Sequence, residues 1–191
     1  MTPGNPFTLD ASSGHVVDLA EGRHGDPFSV LGRHAVLERE VIRCFQPRTL
    51  NLWLVDKSKP MQRVPGTDLF EYLAEPGEIP THYEVLRETD YGVRFTRHDP
   101  YAFGVQLNID EMAAFNYGEH RYAWRLLGAR RHQVDDIGGT LFSVWAPNAG
   151  RVSVIGEFNQ CDGRCHPMRA RRRQQRCRRG NASGIPQHAT V

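Results

Sequence analysis

The sequence predicts a mainly β protein: an immunoglobulin-like β-sandwich, a short helical linker, and the incomplete start of a second sandwich. Runs of alternating apolar residues recur about every 8–12 residues between Gly25 and Gly104, which is the spacing of sandwich strands. The turns between these runs contain Pro, Gly, Asn or Asp. Two further alternating runs follow a segment in which the apolar residues have helical spacing.

The chain is predicted to begin with a flexible leader, residues 1–24. Thr, Pro, Gly, Asn and Ser dominate this segment, and Val16–Glu21 has at most the pattern of one helical turn. Asp26-Pro27 then predicts a turn that places Phe28 and Leu31 against a sheet. The first sandwich is therefore expected to start at about residue 25.

The first sandwich is predicted to span residues 25–104. Its predicted strands are Glu40–Gln46, Leu50–Asp56, Leu69–Ala74, Tyr83–Glu88 and Val93–Thr96. Each strand alternates apolar and polar residues, and each is bounded by residues that favour turns. At ~80 residues the sandwich is large enough to be marginally stable on its own.

Residues 105–139 are predicted to form a helical linker. Asp110 and Glu111 precede a run of good helix formers, and Tyr122, Leu126 and Ala129 recur at helical spacing. Residues 140–169 are then predicted to contain the first strands of the second sandwich. Its strands, Thr140–Trp145 and Arg151–Phe158, are expected to pair as a hairpin across the turn that contains Pro147 and Gly150.

Several motifs resemble the bacterial 1,4-α-glucan (glycogen) branching enzymes. They are the run Phe142–Ala149 (FSVWAPNA), the run Arg151–Asn159, and the ending His166–Arg169 (HPMR). Earlier in the chain, Asp26–Gly32 (DPFSVLG) and Asp99–Gly104 (DPYAFG) resemble the borders of the first sandwich in that family. The resemblance covers about residues 24–169. It implies that residues 140–169 open a carbohydrate-binding sandwich, which in that family precedes an α-amylase-type barrel.

The resemblance also implies an activity, the formation of α-1,6 branch points by transfer of glucan chains without a metal or organic cofactor. At 191 residues the chain is too short to hold two sandwiches and a barrel of ~250 residues. We therefore expect an inactive fragment with no catalytic residue. Asp99, Asp110 and Glu157 match sandwich and linker motifs, and the family's catalytic carboxylates belong to its barrel.

The C-terminal segment, residues 170–191, departs from the family. From Arg169 onward the chain has seven Arg and no acidic residue, and it lacks any alternating run. It is predicted to be a disordered tail, read out of frame, that supplies no strand to the second sandwich. An ordinary basic tail and an arginine-rich arm that binds nucleic acid remain the alternatives, although the fragment as a whole is not expected to bind nucleic acid.

Exposed aromatic side chains are the candidate contacts to α-glucan. Trp53 and Trp145 are the predicted sites, chosen from a set that also contains Tyr83 and Trp124. An alternative is that the chain acts as a stand-alone glycan-binding or regulatory module. Exposed strands of the incomplete sandwich are also expected to favour self-association.

Neither a metal site nor a membrane segment is predicted. Structural zinc prefers paired Cys knuckles, and only Cys161 and Cys165 have that spacing, with His166, Cys177 and His188 beyond them. The sequence has no apolar run of ~18 residues and no signal-peptide pattern at its start. These observations predict a cytoplasmic protein with free thiols.

Overall fold

The computed structural model describes residues 8–55, 59–169 and the backbone of residues 187–190. The chain divides into two compact units, Met1–Gly104 and Val105–Val191, called here the first unit and the second unit. The described parts of the chain contain no helix with the length and apolar character needed to cross a membrane.

The first unit is mainly β. Its elements are helix α1 (Gly14–Ala20) and strands β1 (Gly32–Val36), β2 (Arg39–Phe45), β3 (Thr49–Leu54), β4 (Lys59–Pro60), β5 (Gln62–Arg63), β6 (Leu69–Ala74), β7 (Glu84–Thr89) and β8 (Arg94–His98). The strands form two antiparallel sheets, with the orders β1-β2-β6-β5 and β4-β3-β7-β8. The predicted β-sandwich is thus confirmed.

The core of the first unit lies between its two sheets. Because side chains alternate along a strand, one face of each sheet can be apolar throughout. The buried cluster takes Ile42, Cys44, Phe70 and Ala74 from the first sheet and Leu52, Leu54 and Val85 from the second. At about 25 cal/mol per Å² of apolar area, burial of these side chains is the main stabilising term of the fold.

Helix α1 covers the outer face of the first sheet. Val16 and Leu19 lie three residues apart, so they share one side of the helix, and both are buried. They pack in a cluster with Phe45 and Leu69, whose side chains point away from the core between the sheets. The prediction of a flexible leader is therefore wrong for residues 14–20, because α1 is ordered by burial of its apolar side against the outer face of the first sheet. Residues 1–7 lie outside the described residues.

The segment before β1 and the segment after β8 meet. The rings of Phe28 and Tyr101 lie 4.7 Å apart between centroids. Gly32 has φ +89°, and a Cβ built on it would lie 3.0 Å from both Cβ and the carbonyl oxygen of Tyr101. Glycine is required at this position, because it both tolerates the positive φ and lets the two segments touch.

The predicted strands of the first unit agree closely with the observed ones. The prediction Leu69–Ala74 matches β6. The other four predicted strands differ from β2, β3, β7 and β8 by one or two residues at each end. Strand β1 was not predicted, because its sequence, GRHAV, has no apolar alternation.

The second unit begins with two helices. Its elements are α2 (Ile109–Asn116), α3 (Ala123–Leu126), β9 (Gly128–Val134), β10 (Ile137–Val144) and β11 (Gln187–Thr190). Helix α2 begins after Asn108, whose side-chain oxygen accepts hydrogen bonds from the amides of Asp110 and Glu111. A buried cluster of Leu107, Met112, Leu126 and Leu141 joins both helices to β10.

The predicted hairpin between Thr140–Trp145 and Arg151–Phe158 is wrong. Strand β10 pairs with β9 instead, so residues 128–139 also belong to the sheet rather than to the predicted linker. Arg151–Phe158 forms no strand, and its ladder is limited to a bridge between Ser153 and Pro167. The amides of Val154 and Met168 donate to the carbonyl oxygens of His166 and Val152 on either side of this bridge. A 3₁₀ turn at Glu157–Asn159 then ends the extended segment.

Strand β11 pairs antiparallel with β10, from Leu141 opposite Thr190 to Val144 opposite Gln187. The prediction that residues 170–191 supply no strand is therefore wrong for Gln187–Thr190. An unpaired strand edge can bind any extended backbone through main-chain hydrogen bonds, with no need for apolar side chains. Residues 170–186 and residue 191 lie outside the described residues.

Candidate functional site

Tyr83 cannot serve as a platform for a sugar. Its side chain is 1% exposed, and its hydroxyl donates a hydrogen bond of 2.5 Å to Oδ2 of Asp99. The thiol of Cys44 lies 3.4 Å from the same oxygen. Burial raises the pKa of Asp99, although the hydrogen bonds from Tyr83, the Tyr101 amide and Cys44 oppose that shift. The three side chains form a structural polar cluster inside the first unit.

Trp53 is half-buried on β3. Its neighbours Leu52 and Leu54 point into the core, so Trp53 lies on the outer face of the second sheet. In the ladder it is opposite Pro60 on one side and Leu86 on the other. Part of its ring is thus available on the surface of the first unit.

Trp145 directly follows β10 in the second unit and is half-buried. Its ring meets that of Phe115 edge to face, with centroids 5.2 Å apart and an interplanar angle of 69°. This contact packs Trp145 against α2. The residue therefore combines a packing role with a partly exposed ring.

Two exposed aromatic residues of the second unit lie at helix α3, Tyr122 just before it and Trp124 within it. Trp124 is 71% exposed and Tyr122 is 54% exposed, whereas Leu126 at the end of the helix is completely buried. The carbonyl oxygen of Leu126 accepts a hydrogen bond of 2.6 Å from the buried hydroxyl of Ser143 on β10. Leu126 thus anchors a short helix to the sheet and leaves its aromatic residues in solvent.

Arg125 lies against both of these rings. Its guanidinium carbon is 4.8 Å from the ring centroid of Tyr122 and 5.2 Å from that of Trp124. Both distances are within the range of cation–π attraction. The side chain of Arg130 donates to the carbonyl oxygen of Arg125 and so restrains this turn. We call Tyr122, Trp124 and Arg125 the α3 patch.

Sequence reasoning found only part of the α3 patch. Trp124 belongs to the candidate aromatic set but is not one of the two predicted sites, and Tyr122 enters the prediction only through its helical spacing with Leu126 and Ala129. The available signal was an aromatic pair, with arginine beside it, next to a leucine at a helical position. What the sequence does not reveal is that Leu126 is the buried residue, and that its burial leaves the aromatic residues exposed.

The other residues considered in the sequence analysis have local structural roles. Asp110 lies in the first turn of α2, where a carboxylate interacts favourably with the helix dipole. Glu157 begins the 3₁₀ turn at Glu157–Asn159. His166 accepts a hydrogen bond of 2.9 Å from the side-chain amide of Asn159, if its Nδ1 is unprotonated. Among the described residues no group of three His, Cys, Asp or Glu side chains could hold a metal ion. Cys177 and the side chain of His188 lie outside the described residues.

Comparison with known families matches each unit separately. Residues 12–101 match the N-terminal domain of alpha-1,4-glucan branching enzyme GlgB. Residues 126–176 match carbohydrate-binding module 48, also described as the isoamylase N-terminal domain. The first match covers most of the first unit, and the second begins at Leu126, the buried anchor of α3.

Individual relatives give the same result. The chain is 42% identical over 153 residues to the 1,4-alpha-glucan branching enzyme GlgB of Methylococcus capsulatus, covering 80% of this chain and 21% of that protein. It is 38% identical over 177 residues to the enzyme of the same name from Cellvibrio japonicus, covering 87% of this chain and 24% of that protein. The chain thus spans between a fifth and a quarter of the length of these relatives. Together, the two matches show that the chain carries the N-terminal domain, followed by the carbohydrate-binding module, of the GlgB family of 1,4-alpha-glucan branching enzymes.

Proposed function

We propose that the chain binds α-1,4-glucan, such as glycogen, through the α3 patch of the second unit. The observation that carries this proposal is the exposure of Trp124 and Tyr122, both in contact with Arg125, immediately before the residues that match the carbohydrate-binding module. The apolar face of a glucose ring can stack on an aromatic side chain, and sugar hydroxyls can accept hydrogen bonds from a guanidinium group. The patch offers both kinds of contact on a helix fixed by Leu126.

Trp145 and Trp53 are included in the proposal as weaker contacts. Each ring is half-buried, so each offers a sugar less surface than Trp124 does. Trp145 lies in the second unit and Trp53 in the first, and their contributions can be measured separately. We expect the loss of affinity in alanine variants to be largest for Trp124.

We infer a binding role rather than a catalytic role for the described residues. The carboxylates considered from the sequence support this reading: Asp99 is completely enclosed in the first unit, and Asp110 and Glu157 begin a helix and a 3₁₀ turn. Retaining glycosidases need a pair of carboxyl groups about 5 Å apart on either side of the bond that breaks. Branching of glucan is accordingly proposed only for a longer protein that combines this region with a catalytic domain.

Retardation in native gels that contain glycogen tests the proposal. Trp124→Ala and Tyr122→Ala should each weaken binding of the full chain about tenfold, which corresponds to ~1.4 kcal/mol. Tyr91→Ala is the matched control, since Tyr91 is an equally exposed aromatic residue of the first unit. Glycogen binding by the parent chain together with unchanged binding by both α3 variants would refute the assignment of the site.

Arginine beside exposed aromatic rings is also found in proteins that bind single-stranded nucleic acid. The same variants therefore need a titration with a labelled uridine oligonucleotide at two salt concentrations. Binding to glycogen, a neutral polymer, should be nearly independent of salt, whereas binding to nucleic acid falls steeply as salt rises. Tight, salt-sensitive oligonucleotide binding that is lost in Trp124→Ala would favour nucleic acid over glucan.

A further inference from the structure

The first unit contains a cleft beside strands β2, β5 and β6, with a volume of about 210 Å³. Six of the residues that line it are Thr8, Val41, Gln62, Glu71, Tyr72 and Leu73. The strand register explains why these residues meet. Val41 is opposite Leu73 in the ladder between β2 and β6, and Gln62 is opposite Glu71 in the ladder between β5 and β6. Residues in register lie on the same face of a sheet, so two apolar and two polar side chains adjoin.

A buried ion pair forms one wall of the cleft. Glu71 is 6% exposed, and its Oε1 accepts hydrogen bonds from Nε of Arg43 at 2.6 Å and from the amide of Leu9 at 3.2 Å. Arg43 neutralises the charge of the carboxylate, and the backbone of Leu9 holds it in place. Removing two charges from water is costly, so a buried ion pair need not stabilise the fold. Its position beside a cleft therefore also suggests a role in binding. The Glu71 carboxylate is thus a fixed hydrogen-bond acceptor in the cleft, and the Glu71–Arg43 pair as a whole has no net charge.

Size and polarity together define the ligand that would fit. At ~30 Å³ per water molecule, the cleft has space for about seven waters, which is comparable to one sugar ring and too small for an oligosaccharide. Leu73, which is partly exposed, provides apolar surface, and the amide of Gln62 can both donate and accept hydrogen bonds. Neutral charge, hydroxyl groups and an apolar ring face are the properties of a hexose.

We propose that this cleft is a second carbohydrate site, which holds a single neutral hexose unit at the end of a glucan chain. Sugar hydroxyls donate to Glu71 and exchange hydrogen bonds with Gln62, while C–H groups of the ring pack on Leu73. The choice of glucose among the hexoses rests on the function proposed above. The existence of a hexose site rests on the cleft itself.

Nuclear magnetic resonance of the ¹⁵N-labelled full chain tests the site, with maltose as the probe. Titration should shift the backbone amides of β5 and β6 and the side-chain amide of Gln62 in a saturable way. Gln62→Ala should weaken this binding at least about threefold, whereas Gln133→Ala, a change at an exposed glutamine on β9, should leave it unchanged. Leu73→Trp, which fills the cleft, should abolish the shifts while the rest of the spectrum is retained.

The two carbohydrate sites can fail independently. In Trp124→Ala the shifts around Gln62 should persist at the same maltose concentration, even where glycogen binding by the α3 patch is lost. Absence of saturable shifts at residues 41, 62 and 71–73 in the parent chain would overturn the cleft proposal and leave the α3 patch untouched. Equal shifts with glycerol in place of maltose would also overturn it, because the cleft would then not distinguish a sugar ring from a small polyol.

Discussion

The hydroxyl of Tyr83 donates a hydrogen bond of 2.5 Å to Oδ2 of Asp99, and both side chains are buried in the first unit. The other carboxylate oxygen, Oδ1, accepts a hydrogen bond of 3.1 Å from the amide of Tyr101. The Asp99 carboxylate therefore links Tyr83, which precedes β7, to the turn that contains Tyr101. The motif DPYAFG has a structural explanation in this bond, since its aspartate is an internal acceptor.

Removing the hydroxyl of Tyr83 should destabilise the first unit. Tyr83→Phe keeps the ring and leaves the buried carboxyl of Asp99 without one of its donors, so we expect the free energy of unfolding to fall by about 1–3 kcal/mol. Tyr72→Phe is a matched control. Its hydroxyl donates to Glu78 at 2.9 Å near the surface, and its loss should cost about 1 kcal/mol or less. Urea denaturation followed by tryptophan fluorescence measures both, and equal values for the two variants would contradict the assignment.

Asp99 should make the stability of the first unit depend on pH. Burial raises its folded-state pKa above the ordinary value of 3.8. Its contribution to stability is therefore fully present below that value and is lost as pH rises through the folded-state pKa. Asn cannot ionise, so the stability of the parent chain relative to Asp99→Asn should decrease from about pH 4 upward. A difference that stays constant from pH 3 to pH 8 would show that the Asp99 carboxyl has an unshifted pKa.

Glu78 should show the opposite pH dependence. The hydrogen bond from Lys59 is the largest of the effects that lower the pKa of its carboxyl to about 2, and the Glu75 amide and the Tyr72 hydroxyl add to it. Its stabilising contribution is present above the ordinary value of 4.5 and is lost as pH falls toward 2. A ¹³C titration of the Glu78 carboxyl should give a midpoint well below 4. In Lys59→Met the midpoint should rise, and a midpoint near 4.5 in the parent chain would rule out the hydrogen-bonded arrangement.

The sequence predicts best those elements whose pattern is complete within the element itself. Strand β6, with the sequence LFEYLA, is apolar at every position except Glu71, and its predicted bounds match the observed ones. Strand β9, with the sequence GARRHQV, carries almost no apolar pattern, and its position is set by its pairing with β10. Conversely, Arg151–Phe158 alternates like a strand but pairs only through a single bridge, at Ser153 and Pro167, and a 3₁₀ turn at Glu157–Asn159 ends its extended part.

The candidate site could likewise be predicted only in part, because its geometry depends on contacts between elements. The exposure of Trp124 depends on Leu126, which is buried against Met112 and Leu141 from other elements of the second unit. Contacts of this kind between distant positions leave no local pattern in the sequence. Residue type alone makes Trp145 a candidate sugar contact, whereas its packing against Phe115 depends on the fold. The structure likewise brings Gln62 beside Glu71 through strand register alone.

Hydrogen exchange should separate β10 from the residues that follow it. The strand pairs with β9 on one side and with Gln187–Thr190 on the other, so amides in residues 137–144 should be protected. In residues 151–158 the amide of Val154 is bonded to the carbonyl oxygen of His166, and most of its neighbours lie outside any ladder. We expect these neighbours to exchange much faster than β10. Uniform protection across residues 137–158 would restore the hairpin that the sequence predicted.

Leu141 should be a critical residue of the second unit. Its side chain is completely buried on β10 and joins the cluster that anchors both helices. Leu141→Ala should lower the free energy of unfolding by about 2–5 kcal/mol, through lost burial and the cavity left behind. Ile155→Ala, at a position that is 60% exposed, should change it by about 0.5 kcal/mol or less. Thermal unfolding followed by circular dichroism compares the two, and similar midpoints would show that the Leu141 cluster does not stabilise the unit.

The contact between Phe28 and Tyr101, reinforced by Gly32, holds the segment before β1 beside the segment after β8. A set of strands whose chain enters and leaves side by side can be inserted into a surface loop of another protein without stretching its host. It can also be circularly permuted, by joining these two segments with a short linker and opening the chain at an exposed turn such as Pro76-Gly77. Any such transplant has to carry α1 with the strands, because Val16 and Leu19 cover the outer face of the first sheet.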